Sequence, residues 1–209
     1  MPDFPTLLPF LAAALALNLT PGADMTYVIA RSATQGRAAG IAGSFGVAAG
    51  SLCHTLLAAF GVAALVAHSA TAFLAIKLAG AGYLLFLAWK AIRAGSAAGA
   101  LKALPAVKLR RVFAEGALTN LLNPKVALFI LAFLPQFVDP ARGSVALQIL
   151  ILGTIFNFGG TAVNCIVAVS AGAAAGMLRG SERFGRWLNR ISALVFVGLA
   201  LRLAFTERR

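Results

Sequence analysis

The chain has 209 residues, a formal net charge of +12, and a composition that is 60% apolar and only 11% charged. A soluble domain carries about a quarter charged residues, so this composition excludes a fold whose surface faces water throughout. The basic residues lie between long apolar stretches rather than along a face with stacking aromatics, which argues against a nucleic-acid partner. Lipid is therefore the predicted main solvent.

Six apolar stretches are long enough to cross a bilayer, which takes about 20 mostly apolar residues. Backbone groups in lipid must bond to one another, so each stretch is predicted to be a helix. The fifth is long, and we expect it to be tilted or broken near Gly159 and Gly160. The predicted fold is an all-α membrane protein with six transmembrane helices at about residues 5–30, 40–67, 70–92, 114–138, 145–177 and 187–205.

Lysine and arginine are sorted between the loops. Twelve follow the first, third and fifth stretches, against four on the other side (Arg142, Arg202, Arg208 and Arg209). Because cytoplasmic loops are enriched in Lys and Arg, this distribution predicts that both termini lie outside. The twelve are Arg31, Arg37, Lys90, Arg93, Lys102, Lys108, Arg110, Arg111, Arg179, Arg183, Arg186 and Arg190.

Two of the apolar stretches contain a matching interruption. Thr20-Pro21 in the first and Asn123-Pro124 in the fourth lie 103 residues apart. Three spans separate them, so the two halves have opposite orientations, and paired broken helices of this kind mark transporter binding sites. The sequence predicts one transmembrane domain, 1–209, with inverted three-helix repeats at about 1–93 and 114–209. A cytoplasmic basic loop, 94–113, joins the repeats.

The interruptions supply groups of both polarities. A proline removes one backbone donor and frees a carbonyl, and the half-helix that follows presents unpaired N–H groups and a partial positive charge. We therefore expect substrate-binding residues at Pro21 and Gly22 and at Pro124. Two ordinary proline kinks with polar caps remain the alternative. Side chains that suit an ammonium group are Asn18, Thr20, Asn120 and Asn123.

Two charged residues follow the prolines closely. Asp24 lies in the first turn after Pro21, where the helix dipole favours a carboxylate, and Lys125 directly follows Pro124, where the dipole repels it. A charge at mid-membrane is costly and is functional by default. Asp24 is predicted to bind substrate and to carry a coupling proton. Lys125 is predicted to bind a substrate carboxylate, and a structural Asp24–Lys125 ion pair is the alternative.

Three further polar residues lie inside the predicted spans. His54 is near the middle of the second and is a second candidate for proton coupling, or else a core histidine bonded to a helix. Asn157 and Asn164 in the fifth either line the cavity or bond across helices. No group of residues has the spacing of a metal site, and no cofactor is expected.

Three segments together resemble a known family. Residues 18–24, Asn-Leu-Thr-Pro-Gly-Ala-Asp, resemble the Asn-x-x-Pro-Gly-Pro-Asp signature of the LysE/RhtB amino-acid exporters. Residues 122–137 are similar to its Asn-Pro-Lys…Pro-Gln-Phe block, and 77–85 to its Gly-x-x-Tyr-Leu segment. Ala23 and Ala88 depart from the family, which often has proline and glycine there. The resemblance implies export of amino acids or their derivatives from a bacterial inner membrane, driven by protons.

The predicted partners are thus an amino acid, protons and the lipid bilayer, and the sequence is compatible with a homo-oligomer. Asp24 is the one carboxylate deep in a span, so the expected substrate is neutral or weakly polar rather than cationic. The competing hypothesis is a membrane thiol–disulfide carrier that uses Cys53 and Cys165, one in each half. Neither cysteine lies in a Cys-x-x-Cys arrangement or beside a proline break. No enzymatic activity is predicted.

Overall fold

The computed structural model describes residues 4–62, 70–93 and 104–170, and eleven helical residues between 187 and 201. All regular structure in these residues is helical. The predicted sixth span, 187–205, is described only at those eleven helical residues, and much of the predicted basic loop falls outside the described residues. The helices are α1 (Phe4–Leu19), α2 (Ala23–Gln35), α3 (Arg37–Leu57), α4 (Ala70–Arg93), α5 (Leu109–Leu121), α6 (Pro124–Leu128) and α7 (Val145–Val169).

Short irregular turns extend two of these helices. A wider π-type turn, Ala58–Val62, continues α3. Another, Phe129–Phe133, continues α6 and leads into the tighter turn Leu134–Phe137. A last turn, Pro140–Arg142, connects this segment to α7, where the Asp139 side chain accepts a hydrogen bond from the Ala141 N–H.

Two pairs of helices are bent at short interruptions. The axes of the α1 and α2 segments differ by 46°, and those of α5 and the segment Pro124–Phe137 by 54°. Gly22 at the first interruption and Asn123 at the second both have extended backbone angles. A proline lies in each interruption, where it cannot donate a backbone hydrogen bond and disfavours helical geometry in the residue before it.

Glycines determine how closely the central helices approach. A Cβ atom on Gly116 of α5 would lie 2.5 Å from the Gly43 carbonyl oxygen of α3, and one on Gly50 would lie 2.6 Å from the Ala117 carbonyl oxygen. Side chains larger than hydrogen do not fit there. Small residues at such contacts let transmembrane helices pack backbone to backbone, and here they lock α3 against α5.

Aromatic rings pack together between α1, the segment Pro124–Phe137 and α7. Phe10 of α1 packs edge-on against Phe137, with ring centroids 5.4 Å apart. Phe129 stacks at 4.8 Å against both Phe133 and Phe156 of α7. These rings belong to one buried apolar cluster that joins α1, α6 and α7.

Within the described residues, two helices are long and apolar enough to cross a membrane, or up to four if each bent pair is one span. The two are Arg37–Gly61 and Val145–Val169. The fifth stretch was expected to be tilted or broken near Gly159 and Gly160, and the second of these alternatives is wrong, because α7 runs through both glycines without interruption. Helix α5 begins at Leu109, five residues before the predicted start of the fourth span. It therefore includes Arg110 and Arg111, which the apolar pattern had left outside.

Candidate functional site

A polar cavity lies where the two interruptions meet the middle of α7. It opens to the surface and leaves about 30 Å³ of room for the centres of water molecules. Its lining includes one acidic and one basic side chain, Asp24 and Lys125, with three asparagines around them. The complete lining is Leu17, Asn18, Thr20, Gly22, Asp24, Met25, Asn123, Lys125, Val126, Gly160 and Asn164.

Lys125 reaches from the second interruption to the first. Its Nζ donates a hydrogen bond of 2.7 Å to the carbonyl oxygen of Thr20, at the C-terminal end of α1. Its side chain lies against Gly22. That end of a helix carries a partial negative charge, which favours an ammonium group. In the described part of the chain no ion pair joins Lys125 to Asp24, so the alternative of a structural pair is not what the geometry shows.

Asp24 is held from the other side by α5. Its Oδ2 accepts a hydrogen bond of 2.8 Å from the Asn120 side-chain N–H. Its Oδ1 is buried and accepts no hydrogen bond from any residue that the structure describes. The Asn120 backbone carbonyl lies 3.3 Å from His54 Nε2, so one asparagine contacts both predicted proton-coupling residues. His54 is itself buried between α3 and α5.

The two half-helices that start at the interruptions differ in how they are capped. In α6 the side chain of Asn123 accepts a hydrogen bond from the Lys125 backbone N–H, so this donor is already used. In α2 the capping residue is Gly22, which has no side chain to offer. The predicted anion-binding role therefore suits the start of α2 better than the start of α6.

The remaining asparagines have separate positions. Asn18 donates to the Phe156 carbonyl of α7 at 3.2 Å, and its amide lies against Gly160. Asn164 is buried and lines the cavity. Asn157 instead donates to the Ala48 carbonyl of α3 at 3.0 Å. Asn164 thus lines the cavity and Asn157 bonds across helices, which are the two alternatives expected for the α7 asparagines.

The structure thus brings six of the sequence-predicted site residues to one cavity and leaves four around it. Pro21 and Pro124 lie in the interruptions without lining the cavity, and Asn120 and His54 stand behind Asp24. Gly160 also lines the cavity, whereas the sequence had predicted only a tilt or a break of the helix near it. A Cβ there would lie 2.9 Å from Asn18 Oδ1, so the glycine makes room for that side chain.

A second set of polar contacts begins at the cavity and joins α2 to α5 and to the residues just before α5. We call this set the polar ladder. Its side chains on α2 are Asp24, Tyr27, Arg31 and Gln35, spaced three or four residues apart on one face. Tyr27 donates to the Val112 carbonyl at 2.8 Å, and buried Arg31 forms an ion pair with Glu115 and donates to the Pro105 carbonyl. Gln35 pairs with the Val107 backbone through both ends of its amide.

Both cysteines have free thiols. Cys53 is exposed on α3 and Cys165 is half-buried on α7. Among the described residues, no cluster of three or more His, Cys, Asp or Glu residues is placed to hold a metal ion.

Comparison with known proteins assigns the family. The profile of the LysE type translocators matches residues 15–207, nearly the whole chain. The chain belongs to this family. Its members are transporters rather than enzymes, and the apolar helices agree with a protein that spans a membrane. No solved structure matches the chain.

Relatives cover the chain almost from end to end. A membrane protein of Vibrio cholerae is 30% identical over 97% of this chain and 98% of its own length. A leucine efflux protein of Salmonella typhimurium is 27% identical over 93% of this chain and 92% of its own. The homoserine/homoserine lactone efflux protein of the same organism is 35% identical over 69% of each chain.

Proposed function

We propose that the protein exports neutral or weakly polar amino acids, or their derivatives, across the bacterial inner membrane in exchange for protons. The observation that carries the proposal is the cavity between the two interruptions, in which Asp24 and Lys125 both take part. The relatives named for leucine efflux and for homoserine and homoserine lactone efflux support the same class of substrate.

The cavity has the polarity that an α-amino acid requires. The Thr20 carbonyl and the free Oδ1 of Asp24 are acceptors for an ammonium group. Lys125 and the uncapped start of α2 at Gly22 suit a carboxylate. Charged groups buried in a membrane need partners of opposite sign, and a zwitterion supplies both.

The balance of charges favours a neutral side chain. Among the lining residues the charged groups are one carboxylate and one ammonium, which a zwitterion's backbone groups would satisfy. A second cation on the substrate would need a further carboxylate, and a second anion a further base. Leu17, Met25 and Val126 supply apolar lining for an aliphatic side chain.

We infer the architecture of the whole chain from the same features. The bent pairs α1–α2 and α5–α6 count as the first and fourth of six spans in a single domain, in two inverted repeats whose interruptions at Pro21 and Pro124 face each other. Lys125, which bridges from one interruption to the other, supports this arrangement. The Lys and Arg distribution supports cytoplasmic placement of the loop at 94–113.

Proton exchange is proposed to use Asp24, with His54 behind it. An exporter works against a gradient, and a proton that enters supplies about 2.3 kcal/mol per 100 mV of membrane potential. A substrate ammonium and a proton would compete for the same carboxylate. Competition at one group gives exchange without a second site, and Asn120 connects this carboxylate to His54.

The test is efflux from vesicles that contain the purified protein. Vesicles are loaded with labelled leucine, homoserine, lysine or glutamate, and efflux is followed with and without an imposed pH gradient. We expect the gradient to accelerate efflux of leucine or homoserine and to leave lysine and glutamate unchanged. Gradient-independent efflux would exclude proton exchange, and preferred efflux of lysine would exclude a neutral substrate.

A control in the same vesicles separates the exporter from a thiol–disulfide carrier. Replacing Cys53 and Cys165 by serine removes both thiols, one exposed and one half-buried. An exporter of the proposed kind keeps its efflux rate. Loss of all transport in the double serine variant would favour the thiol carrier.

A further inference from the structure

Lys125 bonds to the group that the proposed substrate's ammonium would use. Its Nζ donates to the Thr20 carbonyl oxygen at 2.7 Å, beside Gly22 and in the same cavity as Asp24. An amino-acid ammonium that reached this cavity would find the Thr20 carbonyl already bonded to a primary ammonium. Two ammonium groups cannot share one carbonyl closely, because they repel each other.

We propose that Lys125 is a built-in competitor for the ammonium subsite, which a substrate displaces by offering its carboxylate. This inference rests on the proposed amino-acid substrate and adds the order of contacts inside its site. The substrate ammonium replaces Lys125 on the Thr20 carbonyl. The released lysine then pairs with the substrate carboxylate.

The exchange conserves charge inside the cavity. Asp24 and Lys125 together carry no net charge before binding, and a zwitterion adds none. An amine without a carboxylate would add a positive charge and would leave the displaced Lys125 without a partner. A carboxylic acid without an ammonium would draw Lys125 away from the Thr20 carbonyl and put no ammonium back. Unpaired charges and unsatisfied polar groups are costly away from water, so both half-substrates bind poorly alone.

The geometry of Lys125 suits such a movement. Its side chain passes over Gly22, where no side chain stands in its way. Its backbone is fixed, because the Asn123 side chain caps its N–H at the start of α6. The ammonium therefore moves on a flexible stem while the helix that carries it stays in place.

The inference predicts cooperation between the two halves of a substrate. Isoamylamine is leucine without its carboxylate, and formate supplies a carboxylate without the side chain, so the two together do not overlap in the cavity. Formate draws Lys125 off the Thr20 carbonyl and so frees the place for the isoamylamine ammonium. In the wild-type protein in detergent, we expect a saturating amount of formate to tighten isoamylamine binding by about tenfold, and the reverse effect to be equal by linkage.

The variant Lys125→Met removes the competitor and keeps a similar length. Isoamylamine alone is expected to bind about tenfold more tightly than to the wild type, formate more weakly, and the cooperation between them to vanish. Lys108→Met, at an exposed position directly before α5, is the matched control and is expected to behave as wild type. Calorimetric titration of each fragment alone and with the other measures all of these quantities.

The outcomes separate the two proposals. The role of Lys125 is overturned if leucine binds to the wild-type protein but the two fragments bind independently of each other or compete. That result leaves the exporter proposal standing. The role of Lys125 as a competitor is also overturned if isoamylamine binds to Lys125→Met no more tightly than to the wild type. Lys125 would then bind the substrate carboxylate without competing for the ammonium subsite. Failure of leucine and both fragments to bind overturns the proposed substrate and the inference together. The wild-type measurement holds even if the variant does not fold.

Discussion

Asp24 has one oxygen bonded and one free, and this division matters for its proposed function. Oδ2 is fixed by Asn120, which orients the carboxylate, while Oδ1 remains available for a proton or an ammonium. Asn120 is almost completely buried, so it cannot exchange its bond to Asp24 for one to bulk water. A carboxylate held in this way is positioned without being neutralised.

The variant Asp24→Asn tests proton coupling at this residue. The amide oxygen of asparagine still accepts the hydrogen bond from Asn120, so the shape of the site is kept, but the side chain no longer binds a proton. We expect pH-driven efflux to fall by at least about tenfold, which corresponds to about 1.4 kcal/mol, while exchange of internal for external substrate persists. Both rates are measured in the same vesicles.

The control for this variant is Asp139→Asn, which changes an exposed carboxylate in the turn before α7 and is expected to transport normally. If Asp24→Asn still drives substrate uphill with the wild-type pH dependence, Asp24 has a structural role only. His54 then becomes the remaining candidate for the proton.

The sequence predicted many of the residues that line the cavity, but it did not predict the groups to which these residues bond. Asn18, Asp24 and Lys125 stand out because prolines and charges are conspicuous in apolar stretches. The partner of Lys125 is a backbone carbonyl, and backbone groups leave no mark in a sequence. Gly160 contributes through the space it leaves for Asn18, which depends on how closely α1 and α7 approach.

At the scale of elements, α3 and α5 are held at a distance that admits no side chain between them. Gly46 and Gly50 of α3 face the backbone of α5, and Gly116 of α5 faces the Gly43 carbonyl. Lipid chains are as apolar as leucine, so helices in a membrane associate through close contact rather than through the hydrophobic effect. This contact also positions Asn120 and His54, because each lies on one of the two helices.

Gly116→Ala is predicted to destabilise the protein. Its Cβ would lie 2.5 Å from the Gly43 carbonyl oxygen, so the helices must separate, at a cost of about 1–3 kcal/mol for overpacking. We expect a lower midpoint of thermal unfolding in detergent. Gly82→Ala in α4 is the matched control, because no atom lies within 4 Å of its Cβ.

In the control variant alanine gains helix propensity, so its unfolding midpoint is expected to stay or rise. Equal midpoints for Gly116→Ala and wild type would mean that α3 and α5 are not packed through their glycines.

The helices themselves follow from the sequence more directly than their ends do. Long apolar runs predict α3 and α7 because in lipid the helix satisfies all its backbone hydrogen bonds within one segment. The start of α5 is less evident, since Arg110 and Arg111 interrupt the apolar pattern while the backbone is already helical. At Gly159 and Gly160 the helix is continuous and Asn18 packs closely against Gly160, and this contact between α1 and α7 cannot be read from composition.

The whole molecule is predicted to place both termini outside. The test uses the cysteine-free double serine variant, so that the introduced cysteine is the single thiol in the chain. A cysteine introduced at Ala98, in the predicted basic loop, should resist an impermeant thiol reagent in intact cells and react after permeabilisation. A cysteine at Ala141, in the turn before α7, should react in intact cells. The reversed labelling pattern would invert the assignment of both loops.

The two sides of the interrupted helices are joined by different kinds of contact. Beyond the cavity towards 104–108, the polar ladder connects α2 and α5 through directional hydrogen bonds and an ion pair. On the opposite side, Phe10, Phe129 and Phe137 connect α1 to the α6 segment through ring contacts. Rings that slide by a fraction of an ångström lose attraction gradually, whereas a ladder that shifts loses whole bonds. A small displacement of α1 against the rings of Phe129 and Phe137 therefore raises the energy gradually. A displacement of α2 against α5 raises the energy in steps, as each hydrogen bond breaks.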